Sequence, residues 1–157
     1  NRPRSRQLGP RAIVMAAMAA LDEAPLHCLA RAAILTSRPL GPSQRDYANS
    51  AALVATSLPP LAMLDALQAI EARFGRKRQR RWGARTLDLD LLLWSGGRLT
   101  TPRLILPHRE IRKRDFVLIP LAQIAPNCRD PVSGHSITQL AWRLNHAKPV
   151  DHAAQRH

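Results

Sequence analysis

Two aspartates set two positions apart, Asp88 and Asp90, interrupt the leucine-rich stretch "RWGARTLDLDLLLW" (residues 81–94). Side chains two apart on a strand share a face, so the two carboxylates would converge on one side while Leu87, Leu89 and Leu91 pack on the other. Like charges held close together repel unless a cation lies between them, and hard oxygen donors with room for phosphate oxygens suit Mg²⁺. The plainer account is a solvated strand face paired with neighbouring arginines. Cations flank the pair on both sides: Arg76, Lys77, Arg78, Arg80, Arg81 and Arg85 before it, and Arg103, Arg109, Arg112, Lys113 and Arg114 after it. Carboxylates, magnesium and arginines together make a polyphosphate site, and the clustering carries that argument, since most of these arginines taken singly are ordinary surface charges. No G-x-x-x-x-G-K-[ST] loop occurs, so any nucleotide must be gripped by side chains. Trp82 could stack on a heterocycle or an arginine, or pack as a core or lid indole. His108, after Pro107, could donate to a phosphate or sit on a surface loop.

These residues need elements to hold them. Gly9 and Pro10 precede Ile13, Val14, Ala17, Met18 and Leu21 at helical spacing, which predicts a first helix over 9–24. Residues 26–35 read as a strand, and Pro39, Gly41 and Pro42 in "TSRPLGP" as a stiff loop. Residues 47–56 read as a second strand. A second helix follows, with Thr56 or Ser57 as cap, prolines in its first turn, a stripe through Leu61, Leu64, Leu67 and Ile70, and Gly75 as terminator. Then come the basic loop, the strand with the two aspartates, an "SGG" turn, a short strand, a loop feeding a helix within 107–126, and a last helix near 136–145. The order helix, strand, strand, helix, strand is one strand short of the split βαβ plan, and the expectation is that this strand precedes Asn1.

Composition sets the outer bounds. A chain of 157 residues is about one domain long, and we divide it into a folded unit over 1–146 and a polar, His-rich tail over 147–157. Twenty-four Lys and Arg against 11 Asp and Glu give a formal charge of +13, which points to polyanionic partners, whether nucleic acid, phosphorylated small molecules or an acidic surface. Cys28 and Cys128 lie in no paired spacing, so neither a disulfide framework nor a zinc site is suggested. Apolar runs fall far short of the roughly 18 residues of a membrane span, and a soluble, cytoplasmic protein is expected.

The stretch "RWGARTLDLDLLLW", preceded by "RPLGPSQRDYANSA" (38–51) and followed by "PHREIRKRDFVLIPLAQIAP" (107–126), closely resembles the 6-hydroxymethyl-7,8-dihydropterin pyrophosphokinases of folate biosynthesis. The resemblance runs from about Asn1 to Asn145, and its R-W-G-x-R-x-L-D-L-D motif is highly specific. It implies an α+β, ferredoxin-like (split βαβ) antiparallel sheet with helices packed on it, here lacking its first strand, and transfer of pyrophosphate from ATP to the pterin hydroxymethyl with two Mg²⁺ ions. It implies that Asp88 and Asp90 are the metal ligands. Arg76, Arg78 and Arg85 would act on the phosphates in catalysis, with Gln68, Glu71, Arg103, His108 and Arg114 around ATP. Leu40, Tyr47, Asn49, Trp82 and Phe116 would surround the pterin. A flat, hydrogen-bonding heterocycle wants aromatic faces and an amide at its edge, which Trp82, Phe116 and Asn49 offer in a chain with only 4% aromatics.

The sequence departs from the family pattern at Ser37 and Arg38, where Thr-Pro is frequent, at Ile105, often threonine, and at Arg109, often aromatic. The partners expected are ATP and the pterin, with no nucleic acid and no membrane, and the protein is expected to be a monomer. The competing accounts are a basic RNA-binding α+β module, which leaves the paired aspartates unexplained, and a catalytically inactive relative.

Overall fold

The structure, a computed structural model, describes residues 9–37, 47–75 and 87–147. Helix α1 spans Pro10–Ala20, with Gly9 as N-cap and Pro10 entering the first turn, where its missing N–H costs nothing. It buries Ile13, Ala17 and Met18 of the predicted face, leaves Val14 half-buried, and buries Ala20 as well.

An antiparallel ribbon follows in two stretches. β1 (Leu26–Arg31) pairs with β4 (Ala52–Thr56), and β2 (Leu35–Ser37) pairs with β3 (Tyr47–Asn49). The sequence suggested one strand over 26–35 and one over 47–56, and the ladder is interrupted in both. The Ser50 hydroxyl donates to the Ala32 carbonyl at 2.9 Å, and Ala32 N donates to Ala51 O at 2.8 Å across the gap. Thr36 and Ser37, expected in the loop, lie in β2, and the proline-rich remainder of that loop lies outside the described residues.

Helix α2 (Pro60–Arg73) starts from Pro59 as N-cap, with no side chain capping it. Thr56, one of the two expected caps, instead donates its hydroxyl to Pro25 O and accepts from Leu58 N, tying the end of β4 to the entry of β1. The buried stripe runs through Met63, Leu67 and Ile70. Leu61 is exposed and Leu64 half-buried, so the stripe is rotated from the one expected. Gly75 ends the helix as predicted, with φ +91 and its N–H on Ala72 O. The Arg73 guanidinium donates twice to Glu23, joining the end of α2 to the turn after α1; these bonds lower the pKa of Glu23 and raise that of Arg73.

Residues 87–94 join no β-ladder among the described residues, which corrects the expected strand around the two aspartates. Their alternation is nonetheless as predicted. Leu87, Leu89 and Leu91 pack toward the core, while Asp88 and Asp90 are exposed. A strand is defined by a hydrogen-bonded neighbour, and local pattern alone does not supply one. A small hairpin follows, β5 (Leu99–Thr100) with β6 (Ile105–Leu106), where one short strand was expected; Thr101 closes its turn by bonding both backbone groups of Leu104. Helix α3 (Asp115–Ile124) and helix α4 (Ile137–His146) lie against each other, and Ser136 and Gln139 form a reciprocal cap at the start of α4.

Two core clusters result. Met18, Leu21, Leu26, Met63, Leu67 and Ile70 join α1, the ribbon and α2. Ile111, Leu118, Leu121, Ile137 and Leu140, with Ala32 and Ala51, join α3 and α4 to the middle of the ribbon. The described residues thus form an α+β fold of four helices and small antiparallel sheets. None of these helices is long and apolar enough to cross a membrane. The expected strand ahead of Asn1 lies outside the described residues.

Candidate active site

Asp88 and Asp90 project from a segment whose leucines are anchored in the core, so the carboxylates are presented outward on a fixed backing. Among the described residues no group of three or more His, Cys, Asp and Glu side chains gathers to hold a metal. Asp88 and Asp90 by themselves are a donor set that fits Mg²⁺, which usually binds through one or two carboxylates and completes its octahedron with water and substrate phosphate.

The same segment holds His108. Its N–H donates to Leu92 O at 2.9 Å, two residues beyond Asp90, so the loop after Pro107 is tied to the aspartate-bearing stretch. His108 Nδ1 accepts from Glu110 N at 3.1 Å, which in the neutral ring leaves the proton on Nε2.

A second grouping gathers on α2. Arg103 donates to Asp65 at 2.6 Å and so ties the β5–β6 hairpin to the helix bearing Gln68 and Glu71. Gln68 is exposed, whereas Glu71 is buried beside Ile70. The third grouping lies where α3 packs on β3. Arg114, the N-cap of α3, sets its guanidinium 5.7 Å from the centre of the Phe116 ring, close enough for a cation–π contact. Phe116 is 43% exposed, so its ring is not part of the core. Tyr47, also exposed, and the half-buried Asn49 lie at opposite ends of β3. Leu40, Arg76, Arg78, Trp82 and Arg85 lie outside the described residues.

Arg112 was one of the clustered cations, and the structure gives it different work. Its Nε donates to Asp130 Oδ2 at 2.6 Å and its Nη2 to Oδ1 at 3.0 Å. Asp130 is wholly buried and also accepts from Val132 N, Ser133 N and the Ser133 hydroxyl. Burial pushes its carboxyl up, but Arg112, Ser133 and Val132 together outweigh that and hold it well below the usual carboxylate range. Sequence reasoning missed Asp130. The signal was "DPVSG" (130–134), an aspartate opening a turn through Pro131 to a glycine with φ +75; its partner 18 residues earlier left no local sign.

The profile of the family described as 7,8-dihydro-6-hydroxymethylpterin-pyrophosphokinase (HPPK) matches residues 5–126. The chain is 46% identical over 134 residues to the 2-amino-4-hydroxy-6-hydroxymethyldihydropteridine pyrophosphokinase of Pseudomonas aeruginosa, covering 84% of this chain and 83% of that one. It is 43% identical over 125 residues to the enzyme of that name from Haemophilus influenzae, covering 79% and 78%. A third, from Synechocystis sp., is 49% identical over 109 residues, and there the match spans 69% of this chain but little more than half, 56%, of the relative. Both aspartates, the His108 loop and the start of α3 fall inside the matched region, and the chain belongs to the 7,8-dihydro-6-hydroxymethylpterin-pyrophosphokinase family.

Proposed function

We propose that the chain transfers the pyrophosphoryl group of ATP to 6-hydroxymethyl-7,8-dihydropterin in folate biosynthesis, releasing AMP and the pterin diphosphate. The observation that carries this is the pair Asp88 and Asp90, facing outward from a core-anchored segment inside the matched region and tied through Leu92 to His108. The two carboxylates would hold two Mg²⁺ ions, which when bound supply neutralisation of the β- and γ-phosphates.

The rest is positioning by side chains. The pterin hydroxymethyl oxygen attacks the β-phosphorus, the bond from that phosphorus to the bridging oxygen of the α-phosphate breaks, AMP leaves, and the hydroxyl proton passes to solvent. Arg76, Arg78 and Arg85 hold the triphosphate in line. Gln68, Glu71, Arg103, His108 and Arg114 surround the nucleotide, with His108 Nε2 as a phosphate donor. Leu40, Tyr47, Asn49, Trp82 and Phe116 enclose the pterin, and the exposed ring of Phe116 is consistent with stacking.

The scaffold is proposed to be ferredoxin-like, a reading supported by the antiparallel β1–β4 pair between two helices and by the burial alternation at 87–91. Residues 1–146 form the catalytic unit and 147–157 a polar tail, and the enzyme acts as a cytoplasmic monomer without nucleic acid or membrane. Incubation with ATP, Mg²⁺ and 6-hydroxymethyl-7,8-dihydropterin tests the function. AMP formed in step with a diphosphorylated pterin is the expected result; pterin-dependent ADP would show attack at the γ-phosphorus and overturn it.

A further inference from the structure

We infer that Asp130 is a positioning residue for this reaction, acting through Arg112 to hold the 108–114 turn that carries His108 and Arg114. The turn has an anchor near each end. At its start, His108 N bonds Leu92 O on the aspartate-bearing segment. Near its end, Arg112 is clamped by two parallel bonds to a carboxylate that no solvent reaches. A bidentate guanidinium–carboxylate pair fixes an orientation as well as a distance, which a single contact does not. Asp130 also accepts from Ser133 Oγ at 2.6 Å and from the Val132 and Ser133 N–H groups, so each of its oxygens is shared between Arg112 and the 132–133 turn. Between the anchors, Ile111 is fully buried, and only a short span separates Arg112 from Arg114.

Phe116 meets the Arg114 guanidinium, 5.7 Å from its ring centre, but its backbone is held differently. It belongs to α3, which Leu118 and Leu121 fix in the core. Loosening the clamp should therefore disturb the proposed nucleotide-binding side of this segment and spare the pterin side. The inference rests on the pyrophosphokinase reading for what His108 and Arg114 touch, while the clamp itself rests on the geometry alone.

Two variants of the full chain test it. Arg112→Lys keeps the charge and removes the fork, and Ser133→Ala removes one bond to Asp130 without unpairing a charge. Arg112→Lys should lower kcat/KM for ATP by about 10- to 100-fold, the range for a small misplacement of positioning groups. Ser133→Ala should lower it about threefold, the scale of one net hydrogen bond. Pterin affinity should stay within about twofold in both, a change smaller than one such bond. The ¹⁵N resonances of the His108 ring should move away from the Nε2–H tautomer in Arg112→Lys. Equal losses for ATP and pterin, or an unmoved His108 ring, would overturn the inference; if Arg112→Lys does not fold, the ratio of losses in Ser133→Ala decides it. A wild-type chain that forms no AMP with the pterin would instead reject the reading beneath it, and the ring spectra would still show whether the clamp orders His108.

Discussion

At Asp130 a buried charge is satisfied on every side the structure describes, and that is the condition under which removal is costly. Asp130→Ala strands the Arg112 guanidinium and should destabilise the fold by about 3–5 kcal/mol, read from denaturant melts. The pH dependence has a definite sign. Because the folded carboxyl lies below its unfolded value, its stabilising contribution is complete above about pH 4 and is lost as pH falls from there toward the folded pKa. The gap in thermal midpoint between wild type and Asp130→Asn should therefore be wide at neutral pH and narrow in acid. A gap that grows in acid would contradict the ion pair. Asp88 and Asp90 behave oppositely because both are exposed. Asp88→Ala or Asp90→Ala should abolish Mg²⁺-dependent turnover with the circular dichroism spectrum unchanged. Loss of the spectrum together with activity would assign these residues to the fold instead.

The helices rest on local signals, and so do their weak points. Ser136→Ala removes one half of the reciprocal cap on α4 and should cost about 1 kcal/mol, visible as a lower melting midpoint. Local signals also explain what the sequence made legible. The face of α1, the glycine that ends α2 and the leucine–aspartate alternation at 87–91 all depend on neighbours a few positions away, and each was read correctly. The interruption of the ribbon at Ser50 depends on a carbonyl 18 residues distant, and the Arg112–Asp130 clamp on a partner equally far in sequence. Neither leaves a local pattern. The cap of α2 was misread for a related reason, since the Thr56 hydroxyl is drawn to Pro25 rather than to the helix. The site divides along the same line. Its metal pair is a two-residue motif, whereas the tie from His108 to Leu92 is a contact between segments that composition could not reveal.

Across the whole molecule the charge of +13 would draw any polyanion, and salt separates attraction from recognition. A protein held to RNA by six to ten phosphate contacts loses about 10³–10⁵ in affinity between roughly 50 and 200 mM salt. Over that range KM for ATP at saturating Mg²⁺ should change by less than about tenfold, because a metal-bridged nucleotide does not depend on counterion release alone. A KM that rises as steeply as RNA affinity falls would favour the nucleic-acid account. The segment at 87–93 has one more consequence. It lends Leu87, Leu89 and Leu91 to the cluster of α1 and α2, and Leu92 and Leu93 to the cluster of α3 and α4. The aspartates sit in the part packed on the first cluster, with Leu92 and Leu93 directly beyond it on the second, so occupancy there is thermodynamically linked to both. Saturating Mg²⁺ and ATP should slow amide exchange in α4, which no candidate ligand residue occupies, as well as in α2. At a hundredfold excess over the dissociation constant, that protection amounts to about 2.7 kcal/mol shared by the two halves as one cooperative unit.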